Sequence, residues 1–225
     1  MARIKYYDSV AQEWAYADMA VAMPAQKKGL PCEYQQVEYI EATGTQYIKY
    51  YCKPQTTDRI ELDVAFTGDV SSGNYGVFGA INNDSTPKER WSIAYWTGMW
   101  QYAIGENAYE TTIAADNNRH KFIMDGAEET FSVDDTSVTM TMGQLNGNIT
   151  ISGLFCRMYT AATPFVQNQT AAKLYGCKIY RGAKLIANFV PCYKIQNDTI
   201  GVYETVGNVF YTNDGTGTFI KGADV

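Results

Sequence analysis

The stretch Arg59–Phe66 reads RIELDVAF and has a large apolar residue at every second position. A period of two places Ile60, Leu62, Val64 and Phe66 on one face, as in a strand that is buried on one side. An amphipathic helix would instead need apolar residues three and four positions apart. The pattern therefore predicts a β-strand within a fold built from strands.

A second stretch, Arg90–Ile104, reads RWSIAYWTGMWQYAI and predicts a β-hairpin that turns at Thr97-Gly98. A two-residue turn sets Trp96 opposite Met99 and separates two faces. One face is wholly apolar or aromatic and is predicted to be sandwich core: Trp91, Ile93, Tyr95, Trp100, Tyr102 and Ile104. The other face is mixed and mostly small: Ser92, Ala94, Trp96, Met99, Gln101 and Ala103.

Trp96 and Gln101 on that second face are the candidate carbohydrate-binding residues. A sugar ring needs an aromatic plate on a shallow surface and a few amide or carboxylate partners. The alternative is that Trp96 packs under a loop or against a neighbouring subunit. A longer turn would shift the register and change both faces.

Short strand patterns continue from residue 32 to the end of the chain, and no segment has a convincing helical period. Lys121–Met124 and Glu129–Val133 are predicted to pair around Asp125-Gly126, and Asn148–Met158 is predicted to be one long apolar strand. About twelve to fourteen short strands at regular spacing predict an all-β antiparallel sandwich or barrel. We expect this domain to span residues 31–225.

Residues 1–30 are expected to form a separate unit. Arg3–Tyr7 and Glu13–Ala17 are β-patterned runs on either side of a polar turn, Asp8–Gln12, and predict a small hairpin. A lone hairpin is marginal in water, so we expect it to pack on the main domain, a second copy or a larger scaffold. Pro24–Pro31 is predicted to be a linker.

Composition and charge exclude several classes of protein. The chain has 18 Lys+Arg, 24 Asp+Glu and a net charge of -6, with no basic run, and phosphate contacts need clustered cations. It has no apolar run near the roughly 20 residues of a membrane span, and no signal-peptide pattern, so we expect synthesis in a bacterial cytoplasm. Five cysteines without a CxxC pair predict free buried thiols.

A glucanase is the enzyme to consider first, because some glucanases place two or three carboxylates on one face of a sandwich strand. Glu61 and Asp63 share a face, but Ala65 and Phe66 supply no third carboxylate. An amphipathic strand with its polar face in water explains the pair as well. We therefore predict a protein that is not an enzyme.

The single histidine, His120, lies between Arg119 and Lys121 and has no acidic residue next to it. A catalytic base needs a partner that orients it and raises its basicity. The sequence therefore predicts a partly exposed histidine at a strand edge.

Calcium is considered because oxygen-rich loops occur at Asn82-Asn83-Asp84, Asp134-Asp135 and Asn213-Asp214. Calcium takes six to eight oxygen ligands, and no EF-hand spacing is present. Asn and Asp also form turns without any ion. No cofactor is predicted, with calcium kept as the alternative.

Both ends of the main domain resemble a known family. The segments that carry the resemblance are Leu30–Ile48 (LPCEYQQVEYIEATGTQYI), Leu174–Tyr180 (LYGCKIY), Asn188–Cys192 (NFVPC), Ile200–Glu204 (IGVYE) and Val209–Phe219 (VFYTNDGTGTF). They are similar to concanavalin A-like, laminin G-like domains of bacteriophage and prophage structural proteins of gut bacteria. The resemblance implies a jelly-roll sandwich of two antiparallel sheets, and the middle of the chain, 67–170, is less diagnostic.

The same resemblance implies a virion protein that displays a lectin-like domain for cell-surface or mucosal glycans. The N-terminal hairpin is similar to the leading segment of some phage structural proteins, which implies attachment to other virion proteins through Ile4, Tyr6, Trp14 and Tyr16. Several copies would raise a weak sugar affinity, so a homo-oligomer is expected, with a trimer by analogy. The alternative is a structural decoration or adaptor protein, in the head or the tail, that contacts only other proteins.

Overall fold

The computed structural model describes residues 3–8, 13–18, 30–84, 86–160 and 163–225. All regular structure in these residues is β, and they contain no helix. The strands are β1 (Arg3–Asp8), β2 (Glu13–Asp18), β3 (Tyr34–Gln36), β4 (Ile40–Thr43), β5 (Ile48–Tyr51), β6 (Asp58–Phe66), β7 (Asn74–Asn82), β8 (Glu89–Trp96), β9 (Met99–Gly105), β10 (Tyr109–Ala114), β11 (Arg119–Asp125), β12 (Thr130–Val133), β13 (Thr136–Thr139), β14 (Ile151–Leu154), β15 (Arg157–Tyr159), β16 (Phe165–Gln167), β17 (Ala171–Arg181), β18 (Lys184–Lys194), β19 (Thr199–Glu204), β20 (Val209–Thr212) and β21 (Ile220–Lys221). The all-β prediction is confirmed.

Two sheets form a β-sandwich. The eight-stranded sheet runs β10-β9-β8-β7-β14-β5, with β15 and β16 attached beside β7. The 11-stranded sheet runs β13-β12-β11-β6-β17-β18-β19-β20, with β3, β4 and β21 attached. Pairing is antiparallel except between β15 and β7. The predicted sandwich class is confirmed, and the jelly-roll connectivity stays a prediction.

Strand β6 shows why alternation decides this fold. Ile60, Leu62 and Val64 are buried, while Glu61 and Asp63 lie on the outer face of the sheet and are only partly buried. The strand pairs with β11 on one side and with β17 on the other. A central strand with one wet face needs this two-residue period.

Large rings join the two sheets in the core. Trp100, on β9, is fully buried, and its ring centroid lies 5.1 Å from that of Phe66 and 4.9 Å from that of Phe122 in the opposite sheet. Two further ring pairs join the sheets in the same way: Tyr102 with Phe131 and Tyr50 with Phe189. Rings at such separations add packing energy beyond the area that they bury.

The β8–β9 hairpin has the predicted register. Trp96 is opposite Met99, and Tyr95 is opposite Trp100. Thr97 and Gly98 have φ values of 46° and 85°, which a two-residue turn with two left-handed residues requires. All six residues of the predicted core face are buried.

The prediction of one long strand over Asn148–Met158 is wrong. The chain runs antiparallel to β7 in β14, turns at Phe155 with a φ of 64°, and then runs parallel to β7 in β15. The turn is fixed by a hydrogen bond from the Phe155 amide to the Val77 carbonyl, 2.7 Å. The sequence of an apolar run does not reveal whether the run is one straight strand or two buried strands joined by a turn.

The predicted N-terminal hairpin is confirmed as a pair of antiparallel strands. The register sets Ile4 and Tyr6 opposite Ala17 and Ala15, and it sets Trp14 and Tyr16 opposite Tyr7 and Lys5. The four predicted anchoring residues therefore do not pair with one another across the hairpin. The predicted linker Pro24–Pro31 lies, up to residue 29, outside the described residues.

The prediction of free thiols is confirmed, because none of the five cysteines forms a disulfide. Cys156, Cys177 and Cys192 are buried, whereas Cys52 is partly buried and Cys32 is exposed. Burial raises the pKa of Cys52 and of Cys192 to about 12. These two thiols are therefore protonated at neutral pH, as expected of packing residues.

We predict that Trp100→Ala lowers the free energy of unfolding by about 3–5 kcal/mol, because it removes the ring that packs against both Phe66 and Phe122. Urea unfolding followed by circular dichroism measures the change. Trp96→Ala is the matched control, since Trp96 lies on the same hairpin but is 40% exposed, and it should cost clearly less. Equal losses in the two variants would contradict the assigned faces.

Candidate functional site

The outer face of the eight-stranded sheet carries the exposed tryptophan. Asn74 on β7 and Met99 on β9 lie opposite Trp96. The next row on this face has one residue from each of the same strands: Gly76, Ala94 and Gln101. We call the Trp96 face the positions of β7, β8 and β9 that point away from the core between the sheets, namely Asn74, Gly76, Gly79, Ile81, Arg90, Ser92, Ala94, Trp96, Met99, Gln101, Ala103 and Gly105. Trp96 is exposed, Asn74, Arg90 and Met99 are partly buried, and the others are buried.

The two predicted sugar-binding residues share this face but differ in exposure. Trp96 is 40% exposed and can present its ring, whereas Gln101 is only 6% exposed. The Oε1 atom of Gln101 is buried without a hydrogen-bond partner. The open surface that we expected around Gln101 is therefore absent, and its amide is a buried group with unused bonding capacity.

No sequence pattern indicates that Arg157 and Asn74 lie together at this face. Arg157 projects from β15, and its Nη2 donates a hydrogen bond to Oδ1 of Asn74. Gly76 makes room for this arginine, because a Cβ at that position would lie 2.4 Å from Cγ of Arg157. A glycine inside a strand can signal such a close approach, but only the long-range pairing of β15 with β7 reveals which residue approaches.

The carboxylates considered for glucanase chemistry lie on the other sheet and are paired with arginines. Nη2 of Arg59 lies 2.6 Å from Oε1 of Glu61. Arg119 binds both oxygens of Asp63, at 2.7 and 2.9 Å. Two carboxylates that serve as nucleophile and acid would instead face each other across a substrate.

A cleft of about 560 Å³ lies along these paired charges. Its polar side chains include Gln36, Lys121, Lys178 and Asn188, and it also contains Tyr175. The guanidinium of Arg119 lies 3.7 Å from the centroid of the Tyr175 ring. That ring face is occupied by a cation, so the exposed ring of Trp96 is the better candidate for a sugar.

His120 is partly exposed, as predicted, but its strand is not at an edge of the sheet, and the expectation that it has no acidic neighbour is wrong. Its Nδ1 lies 2.7 Å from Oδ2 of Asp134, and its Nε2 lies 2.8 Å from Oδ1 of Asp116. The side chain is 12% exposed, on a strand with neighbours on both sides. Burial disfavours its charged form, but the hydrogen bonds to the two carboxylates outweigh this and raise the pKa of His120.

The 213–214 loop uses its oxygen atoms to hold its own backbone. Oδ1 of Asn213 accepts hydrogen bonds from the amides of Tyr47, at 3.1 Å, and Gly215, at 2.8 Å. Oδ2 of Asp214 accepts one from the amide of Lys49, at 2.8 Å. The turn explanation therefore accounts for these side chains.

The other two loops considered for calcium also bond their own backbone, although Oδ1 of Asn83 is buried without a hydrogen-bond partner. Asp134 accepts a hydrogen bond from the Lys121 amide, at 2.8 Å, in addition to its contact with His120. In the third loop the Asp84 amide donates to Oδ1 of Asn82, at 3.0 Å. Across the described parts of the chain, no three His, Cys, Asp or Glu side chains are grouped as metal ligands.

The sequence matches neither a protein-family model nor a curated protein. In the ranges that the structure describes, no helix has the length and apolar character that crossing a membrane requires.

We predict that the His120 cluster makes the protein more stable at mildly acidic pH than above neutral pH. The pKa of His120 is raised in the folded state, so its contribution is complete below the unfolded value of about 6.5 and is lost as the pH rises through the folded pKa. Melting temperatures from pH 5.5 to 9 measure the effect.

The control for this series is His120→Gln, which can still hydrogen-bond to Asp116 or Asp134 but cannot titrate. Its melting temperature should fall less than that of the wild type between pH 6 and pH 9. Parallel curves for the two proteins would show that His120 does not supply the pH dependence.

Proposed function

We propose that the chain is a non-enzymatic, glycan-binding virion protein that binds sugar on the Trp96 face. The observation that carries the proposal is an aromatic ring, 40% exposed, beside buried polar atoms that have no hydrogen-bond partner. An aromatic plate supplies the contact area for a sugar ring, and nearby polar groups select its hydroxyls. Neither a cofactor nor calcium takes part in the proposed binding.

The virion part of the proposal is supported by the resemblance of the opening and closing segments to phage structural domains. Residues 1–30 would contact other virion proteins, through Ile4, Tyr6, Trp14 and Tyr16, and the sandwich would face the cell surface. A homo-oligomer, with a trimer as the first expectation, would present several Trp96 faces together. Simultaneous engagement raises the overall affinity without any new contact.

The ion pairs on the other sheet favour binding over catalysis. Glu61 and Asp63 hold Arg59 and Arg119, and a hydrolytic pair would have to release these cations before it met a substrate. The glucanase alternative is therefore less supported.

The decoration or adaptor alternative has one observation in its favour. Phe165 is 46% exposed and stacks on Tyr159, with ring centroids 4.6 Å apart. Exposed aromatic residues are enriched in protein interfaces. A protein that binds no glycan but loses its partner when Phe165 is changed would fit this alternative.

We predict that labelled full-length protein binds reproducibly to a subset of a glycan array and that Trp96→Ala weakens this binding by about tenfold or more, as loss of a central aromatic contact does. The control is Tyr51→Ala, because Tyr51 is a more exposed aromatic residue, at 72%, on another strand of the sheet. The Tyr51 variant should bind like the wild type.

The array is probed with calcium and with EDTA, and equal signals are expected. A signal lost in EDTA would return the Asn/Asp loops to consideration as calcium ligands. Wild-type protein that binds no glycan, or binding that Trp96→Ala leaves intact, would contradict the proposed function.

A further inference from the structure

The loop between β13 and β14 contains the one Asn-Gly pair of the chain, Asn146-Gly147. Both residues are exposed. Asparagine is a thermolabile residue, because the backbone nitrogen of the next residue can attack its side-chain carbonyl carbon. A following glycine favours this attack, since it has no Cβ to hinder the approach. Whether the pair reacts therefore depends on how the fold holds the two residues.

The backbone nitrogen of Gly147 is free to react. Within the described residues, its N–H donates no hydrogen bond, and the side-chain amide of Asn146 forms none either. A Cβ on Gly147 would have no atom within 4 Å, so the space beside this residue is open. Neither group has to leave a hydrogen bond before the nitrogen approaches the side-chain carbon.

Two Asp-Gly pairs can form the same ring, but the fold holds their glycines. At Asp125-Gly126, the glycine N–H donates to the carbonyl of Asp58, at 3.2 Å. At Asp214-Gly215, it donates to Oδ1 of Asn213, at 2.8 Å. A Cβ on these glycines would lie 1.8 Å and 2.1 Å from a backbone carbonyl oxygen, so both are tightly packed. Of the three pairs, the fold leaves only the one in the β13–β14 loop with an unbonded glycine nitrogen.

One buried carboxylate holds the loop on both sides of the reactive pair. Glu89, at the start of β8, is 0% exposed. Its Oε1 accepts a hydrogen bond from the Asn146 amide, at 3.0 Å, and its Oε2 accepts one from the Asn148 amide, at 3.2 Å. A buried carboxylate depends on such donors. The loop must therefore keep these two amides at a fixed spacing.

We propose that Asn146 is a site of spontaneous deamidation and that the reaction releases the loop from Glu89. The nitrogen of Gly147 loses its proton to water and forms a bond to Cγ of Asn146, and Nδ2 leaves as ammonia. Water then opens the resulting succinimide ring. Opening at Cγ gives aspartate, whereas opening at the backbone carbonyl gives isoaspartate, in which the main chain runs through Cβ and Cγ. Water is the only other reactant.

The isoaspartate product changes the spacing on which Glu89 depends. It inserts one extra atom into the main chain between the amides of residues 146 and 148. The two amides can then no longer both reach the carboxylate, and a buried acceptor is left without a donor, which destabilises the fold. The aspartate product keeps the normal main chain and both hydrogen bonds.

The first experiment locates the modification. Full-length protein is incubated at mildly alkaline pH and digested, and the aspartate and isoaspartate forms of each peptide are separated by liquid chromatography with mass spectrometry. Isoaspartate should accumulate at residue 146 and stay at background at residues 125 and 214. In urea, all three sites should react. A folded protein that reacts equally at the three sites, or that stays unmodified at residue 146 while the urea-unfolded chain reacts there, would overturn the proposal.

Asn146→Gln is the matched variant for this incubation. Its longer side chain would have to close a larger ring, which is much slower, and the substitution removes no hydrogen bond made by the Asn146 side chain. The variant should lose the modification of this loop peptide. A deamidated loop peptide that forms as fast as in the wild type would place the reaction at another residue and contradict the assignment to Asn146.

The second experiment tests the release from Glu89. The isoaspartate form is separated from the unmodified protein by ion exchange, and its melting temperature should be lower by about 3–10 °C, as the loss of a hydrogen bond to a buried charge predicts for a chain of this size. Asn146→Asp adds the same charge without lengthening the main chain, so it should melt close to the wild type. An isoaspartate form as stable as the wild type, or an equal loss in Asn146→Asp, would contradict the release.

Discussion

The contact of Trp100 with Phe66 and Phe122 is the constraint on which the rest of the structure depends. It fixes the distance between the two sheets, and it also fixes the register of the β8–β9 hairpin. Since side chains alternate across a strand, the register that buries Trp100 places Trp96 outside. A slip of one residue would bury Trp96 and expose the core ring, so the candidate site is a direct result of core packing.

The parts of the fold that the sequence predicts are those in which the information is local. The spacing of Ile60, Leu62 and Val64 is enough to predict strand β6. The turn of the β8–β9 hairpin can be predicted from Thr97-Gly98, which both adopt the left-handed backbone conformation. Trp96 could be found in this way. Arg157 could not, because its place depends on β15 running beside β7, and no pattern within β15 encodes that pairing. The surroundings of His120 were predicted wrongly for a different reason, since Asp116 lies only four residues before it and Asp134 follows β12, the strand that pairs directly with β11.

The arginines on the two outer faces of the sandwich have different partners. On the 11-stranded sheet, arginines meet carboxylates, as Arg119 meets Asp63, and Arg119 also covers the ring of Tyr175. On the eight-stranded sheet, Arg157 has only the Asn74 amide, and the ring of Trp96 is uncovered. On the first face the arginines are paired with carboxylates, although Nε of Arg59 is buried there without a hydrogen-bond partner, whereas Arg157 on the second face has no ion pair within the described residues.

Strand β6 pairs with a strand that is synthesised much later, and this affects how the chain folds during translation. Glu61 and Tyr180 are neighbours although 119 residues separate them in the chain, and the strand that carries Tyr180, β17, also pairs with β4. At ribosomal rates, β6 therefore waits on the order of ten seconds before β17 exists. Long-range pairing of this kind slows folding. In that interval the charges of Arg59, Glu61 and Asp63 keep one side of the nascent strand wet, which limits its association with other unfinished chains.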